Sequence, residues 1–438
     1  MNMTADAPGA ETPEPPLGAQ TIEDTGLTRP FLVELVARVM YRRGADKLSA
    51  ISRITRLSGA VVAELMEGMR TDRLIAPLGQ LGGDMRSEMR YELTEKGRAW
   101  ALEAIARLDY TGPAPVPLDQ FKAMIASQSV RSHRVGRDQL ARAFGDLVIP
   151  EGMLDRLGPA VNSGRSILLY GPPGNGKSSY AHALTRALGG EIYVPHAVEV
   201  GGEVILFFDP TVHTPLEPLD VVDQDELDAL DGADLRYIRC RRPAVVTGAE
   251  LTVAMLDLSF NPTTRVYQAP LHMKASNGVM IIDDMGRQRE TPQQFINRMV
   301  VPMEEGVDYL NLQSGLSFQV PFDALLIFST NIPPQTLVDS AGLRRIYYKI
   351  LVDRPTREDF IKIFLRVARR YKVEATEEVL AHLLNTLYPK AGIGFAGYHA
   401  PYLIDQALAA CDYLGERRAL RVPHINAAWD NLHVDENA

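Results

Sequence analysis

Two runs of this chain carry residue types and spacings suited to handling a polyphosphate. The first, Gly171-Pro172-Pro173-Gly174-Asn175-Gly176-Lys177-Ser178, fits G-x-x-x-x-G-K-[ST]. Its glycines leave main-chain N–H groups free to cradle phosphate oxygens at a helix N-terminus, the lysine reaches the β- and γ-phosphates, and the serine hydroxyl holds Mg²⁺. Together with Ser179, these residues are the expected nucleotide-binding set. The second run, Gly278-Val-Met-Ile-Ile282-Asp283-Asp284, is apolar and ends in two acids. That is the form of a buried parallel strand whose carboxyl end faces a ligand. Asp283 is expected to hold Mg²⁺ through water, and Asp284 to polarise an attacking water.

The elements that position these residues are legible nearby. Ile167-Leu-Leu-Tyr170 reads as a buried strand, and Tyr180, Leu184 and Leu188 recur at helical spacing before Gly189-Gly190 stops the helix. Leu325-Leu-Ile-Phe-Ser-Thr330 is a further apolar strand with Asn331 at its polar end. Beyond Pro355 the pattern turns helical: Phe360, Ile361, Phe364 and Val367 form one apolar face, Val379, Leu380, Leu383, Leu384 and Leu387 a second, and Leu403, Ile404, Ala407, Leu408 and Cys411 a third.

Taken in this order, from about 140 to 435, the motifs resemble the AAA+ superfamily of ATPases. The resemblance implies an α/β fold, a P-loop parallel sheet flanked by helices with a C-terminal helical lid, acting on ATP with Mg²⁺. It implies that Asn331 is sensor 1, orienting the attacking water. It also implies that Leu337-Val-Asp-Ser-Ala-Gly-Leu-Arg344-Arg345 carries an arginine finger that reaches a neighbour's site, hence a homo-oligomer, expected to be a hexamer. A basic helix end also suits the helix dipole, so that alternative for Arg344 and Arg345 stays open. Many AAA+ proteins have Glu where this chain has Asp284, one methylene shorter, so hydrolysis is expected to be slow or to need a shifted water. The lid lacks the usual sensor 2 arginine in Gly397-Tyr-His399-Ala-Pro-Tyr402, leaving His399 or Tyr402 to contact nucleotide instead. More narrowly, "Gly-Ala-Glu-Leu-Thr" (248–252), "Ile-Asp-Asp-Met-Gly-Arg-Gln" (282–288) and "Leu-Arg-Arg-Ile-Tyr-Tyr-Lys-Ile" (343–350) resemble bacterial AAA+ proteins described as ATPases with chaperone activity, which implies a protein client. Arg287 and Gln288 are candidates for relaying nucleotide state to neighbours, with plain surface polarity as the alternative.

Upstream, three short helical patterns from Phe31, two apolar runs around 74–76 and 89–93, a turn at Gly82-Gly83-Asp84 and a helix from Glu95 to Leu108 follow one another. The order of elements and the ending "Tyr-Glu-Leu-Thr-Glu-Lys-Gly-Arg" resemble a winged helix. A DNA-binding winged helix should show a basic footprint, yet residues 31–110 hold 13 Lys/Arg against 11 Asp/Glu, and the third helix carries Glu64 and Glu67. Protein docking is therefore the expected use, with nucleic acid as the alternative. The resulting map is a flexible tail over 1–28, a winged helix over 29–110, a Pro-rich linker and connecting helix over 111–136, the AAA+ core over 137–353 and the lid over 354–438.

Composition narrows the classes. The 438 residues carry a net charge of −9, which disfavours bulk charge-driven binding to nucleic acid or anionic membrane. Cys240 and Cys411 lie too far apart in sequence for a metal motif or disulfide framework. No apolar run reaches the roughly 18 residues that span a bilayer, and the N-terminus lacks the pattern of a signal peptide, so no membrane insertion and a cytoplasmic setting are expected. The acidic block from Glu217 to Asp234 fits no calcium loop and is expected to be solvated.

Overall fold

The computed structural model describes residues 13–79, 88–218 and 232–432. The Gly82-Gly83-Asp84 turn, residues 1–12 and most of the acidic block lie outside them.

Five parallel strands form the central sheet: β1 (Ile167–Tyr170), β2 (Ala244–Thr247), β3 (Val279–Ile282), β4 (Leu325–Thr330) and β5 (Tyr348–Leu351). Their spatial order is β5-β1-β4-β3-β2. β3 and β4 are buried along their whole length, which is why both read as unbroken apolar runs. Helices pack on both faces, including Lys177–Leu188 and Met153–Asn162 on one side and Pro292–Arg298 on the other. A buried amide network pins the amino ends of β3 and β4. Asn277 N–H donates to Asp323 O, its Nδ2 donates to the Asp323 carboxylate at 2.6 Å, and Gln128 Nε2 donates to Asn277 Oδ1 at 3.1 Å.

Two further strands, Glu191–Pro195 and Glu203–Leu206, do not join this sheet. Glu191–Pro195 pairs with Tyr237–Arg241, and Glu203–Leu206 lies in a second, mixed sheet of order 259–261, 266–268, 203–206, 197–200, 116–117. The last of these strands, Val116–Pro117, comes from the proline-spaced stretch. Expected as part of a linker, it is instead packed into the fold, with Ala114 and Val116 fully buried, and it is the edge strand of its sheet, where a missing proline N–H is tolerated.

The N-terminal unit has helices Arg29–Arg43, Leu48–Thr55 and Gly59–Thr71, the antiparallel pair Ile75–Gly79 and Arg90–Leu93, and helix Glu95–Arg107. Thr94 caps the last helix by accepting from Gly97 N–H at 3.1 Å. Gly97 must be glycine, because a Cβ there would lie 1.9 Å from Leu74 O. The flexible tail over 1–28 is corrected for residues 13–28. Ala19, Ile22 and Leu27 are buried, a 3₁₀ turn spans Glu23–Thr25, and Gly18 N–H donates to Gly232 O at 2.7 Å. Composition predicted disorder because this segment cannot bury its own apolar groups; it orders against apolar surface supplied by the helical unit.

The C-terminal helices Arg357–Arg370, Glu377–His382, His399–Leu414 and Val422–Leu432 share a core of their own around Phe360, Phe364, Leu403 and Trp429.

Candidate nucleotide site

The phosphate loop leaves β1 at the carboxyl edge of the sheet. Gly171 has φ +139°, and a Cβ on it would meet Val352 O, just past β5, at 2.3 Å. Gly176, at φ +86°, immediately precedes helix Lys177–Leu188. These conformations are open to glycine and strained for other residues.

Lys177 is the centre of the site. Only 6% exposed, its Nζ donates to Gly171 O at 3.0 Å, Pro172 O at 2.9 Å and Asn331 Oδ1 at 2.5 Å. The ammonium thus faces oxygen acceptors, the same kind of group a phosphate presents. Burial lowers the Lys177 pKa from the ordinary lysine value, while the Asp284 and Asp283 charges oppose that shift. The phosphate loop, Asn331 and both acids therefore lie at the carboxyl ends of the adjacent strands β1, β4 and β3.

The acidic turn has a defined shape. Asp283 N–H donates to Thr247 O at 2.8 Å, which ties β3 to β2, and Asp283 Oδ1 accepts from Asp284 N–H at 3.1 Å. Asp284 is exposed with φ +48°. On the β4 side, Met285 N–H donates to Ser329 O at 2.7 Å and Thr330 Oγ1 donates to Met285 O at 2.7 Å.

Arg344 and Arg345 are not at this edge of the sheet. They end helix Ser340–Arg345, just before β5 begins, and Ser166 Oγ donates to Arg345 O at 3.2 Å. Ser166 precedes β1, so the pair lies at the amino edge of the sheet, roughly 16 Å from Gly171 by the rise of an extended chain. Arg345 is ion-paired with Glu304 at 2.9 Å, and Arg344 is exposed.

The lid departs from expectation in one respect. His399 does not face the loop: it is 4% exposed, and its Nδ1 lies 2.7 Å from Tyr388 Oη inside the lid core. Tyr402 Oη donates to Asn431 O at 3.1 Å. Their neighbour Tyr398 makes the contact instead. Its N–H donates to Gly174 O at 2.9 Å, while Gly397 N–H donates to Asn175 Oδ1 at 3.2 Å. Sequence reading passed over Tyr398 because it belongs to no charged or metal-binding pattern. Gln288 was noted only as a candidate relay, yet its amide bonds both Gly248 O and Asp283 O.

Leu147 and Ile149, the apolar residues before the loop, pack against the cluster that holds Leu169 and Tyr180. The lid helix reaches the same segment through Arg366, which donates to Gly145 O at 3.0 Å. At the end of the acidic block, Arg236 is buried against Asp234 at 2.7 Å, whereas Arg239 is paired chiefly with Glu191 at 2.5 Å, with Glu217 further off at 3.8 Å.

Residues 356–431 match the model of a family described as a domain of unknown function, DUF8689. No curated protein sequence matches the chain. Among solved structures, it is similar to point mutants of RuvB from Thermotoga maritima. One aligns at 12% identity and TM-score 0.36, covering 70% of this chain and 74% of that one. Another aligns at 13% identity and TM-score 0.34 with the same coverage. Among the described residues, no helix is long and apolar enough to cross a membrane.

Proposed function

We propose that this chain binds ATP with Mg²⁺ and hydrolyses it as an AAA+ protein. The observation that carries the reading is Lys177, whose ammonium is shared between the phosphate-loop carbonyls and Asn331 and lies within the field of Asp283 and Asp284. Loop main-chain N–H groups at the start of helix Lys177–Leu188 receive the phosphates, and Lys177 exchanges its carbonyl partners for β- and γ-phosphate oxygens. Ser178 and Asp283 supply a hydroxyl and a carboxylate, hard oxygen donors that suit Mg²⁺ and would hold it. The ion would neutralise charge building on the phosphoryl oxygens. Asp284 accepts a hydrogen bond from the attacking water and Asn331 orients that water, in line with the γ-phosphate.

The arginines at the far edge of the sheet favour assembly of several copies, expected to be a hexamer. An arginine whose backbone lies roughly 16 Å from its own phosphate loop cannot reach it, whereas one subunit's amino edge can meet a neighbour's carboxyl edge. Arg344 is the better finger, since Arg345 is held by Glu304. The lid, bonded directly to the phosphate loop, passes changes at the nucleotide to the rest of the molecule. We take the output to be chaperone-like remodelling of a protein client in the cytoplasm, with the N-terminal unit as a winged helix for protein docking. A DNA role is less well supported, because Arg70 on the third helix is tied to Glu67 at 2.7 Å.

The binding step is tested by titrating a fluorescent ATP analogue into the full-length protein. Saturable, Mg²⁺-dependent binding that Lys177→Ala removes supports the reading. Equal affinity for wild type and variant removes it.

A further inference from the structure

Asp284 has the water-polarising role in the reading above, yet it is a non-glycine residue at φ +48°. That conformation is sparsely populated and persists where surrounding bonds impose it. Bonds from β4 fix one side of the turn through Met285. The other side is closed by Arg287 N–H, which donates to Asp284 O at 3.0 Å, and by one side chain. Gly286 N–H donates to Gln288 Oε1 at 2.9 Å, and Gln288 Nε2 donates to Asp283 O at 3.2 Å and to Gly248 O at 3.0 Å. Gly248 directly follows β2, and its own N–H is held by Glu250 Oε1 at 2.8 Å. One amide thus spans the acidic turn and fastens it to the end of the neighbouring strand.

The chemistry selects glutamine. The position needs one acceptor for an N–H and two donors for carbonyls, all from one planar group. Glutamate lacks the donors, lysine lacks the acceptor, and asparagine is one methylene short.

We propose that Gln288 is a positioning residue for hydrolysis, holding the Asp283–Gly286 turn so that the Asp284 carboxylate stays at the carboxyl ends of β2, β3 and β4. The proposal rests on the site being an ATPase. Gln288 acts through Asp284 and touches no reacting atom, so its loss lowers turnover without weakening ATP binding.

The test is steady-state ATP hydrolysis by the full-length protein with Mg²⁺, comparing wild type, Gln288→Met, Gln288→Glu, Asp284→Asn and the double variant Asp284→Asn/Gln288→Met. Gln288→Met fills similar space without a donor, and Gln288→Glu keeps the acceptor. For both, kcat is expected to fall about tenfold or more, the scale of a catalytic group displaced by about an ångström. KM, ATP affinity and melting temperature are expected to stay at wild-type values. In the Asp284→Asn background, Gln288→Met is expected to lower the residual rate no further. The proposal is overturned if Gln288→Met keeps wild-type kcat, if its loss merely parallels lost ATP affinity or folding, or if the full loss persists without the Asp284 carboxylate. Absence of turnover in wild type would overturn the ATPase reading and this proposal together. Wild-type turnover that ignores Gln288 overturns this proposal alone.

Discussion

Tyr398 of the lid lies across Gly174 of the phosphate loop. The Tyr398 N–H donates to Gly174 O at 2.9 Å, and a Cβ placed on Gly174 would lie 2.1 Å from the tyrosine ring. The two residues lie more than two hundred positions apart in the sequence, yet the glycine-rich loop and the C-terminal helical region share a hydrogen bond. On the proposed function, this contact would let the lid register the state of the loop without a lid arginine.

Gly174→Ala should uncouple them. Alanine at φ +75° is strained by about 1–3 kcal/mol and its methyl collides with the ring, so ATP affinity should fall by about tenfold or more. Hydrogen exchange at residues 396–402 should accelerate in the variant without nucleotide. Unchanged exchange there would mean that the lid does not rest on the loop.

The finger assignment separates two adjacent residues. Arg344→Ala should retain ATP binding and lose turnover by about a thousandfold, the scale of a missing arginine finger. Arg345→Ala breaks a partly exposed pair with Glu304 and should cost much less. Mixing Arg344→Ala with Lys177→Ala subunits should recover part of the turnover, because each supplies what the other lacks. No recovery at any ratio would argue against action between subunits.

A buried cluster under the hairpin of strands Val307–Asn311 and Ser317–Pro321 gives a prediction about stability and pH. Asp308 is 3% exposed, lies 2.8 Å from His272 Nε2 and is bonded twice by Arg298. Burial alone would raise its pKa, but hydrogen bonds and charge from His272 and Arg298 bring it down to about 2. The unfolded chain binds the proton more readily, so the stabilisation is present above about pH 4 and is lost as pH falls toward about 2. Asp308→Asn should cost about 1–3 kcal/mol near neutrality by removing the buried carboxylate that faces His272 and Arg298, although Arg298 keeps its more exposed partner Asp257, and the gap from wild type should close through that acid window. Urea titrations at several pH values measure it.

The N-terminal unit makes protein and DNA roles separable. Full-length protein should give no mobility shift with duplex DNA even at low salt, because its third helix presents Glu64 and Glu67 beside a paired Arg70. A shift that weakens steeply with salt would restore the DNA reading.

The candidate site was legible where chemistry is local. Gly171 to Ser178, Asp283, Asp284 and Asn331 each sit at the end of an apolar strand, and strands of one parallel sheet bring such ends to one edge. The second sheet was not legible, because strands as far apart as 116–117 and 266–268 meet in it and no local period records such pairing. The order of residues 13–28 was hidden for a related reason: Ile22 and Leu27 are buried by a surface outside their own segment. The Tyr398 contact with the phosphate loop and the bonds that Gln288 makes across the acidic turn were not legible, because both run to main-chain groups and no residue spacing records such bonds.

The most direct measurement is phosphate release from ATP by the full-length protein with Mg²⁺, with Lys177→Ala and Asp284→Asn alongside. The account predicts steady turnover by wild type, loss of both binding and turnover in Lys177→Ala, and loss of turnover with binding retained in Asp284→Asn. Turnover that survives in both variants would contradict it.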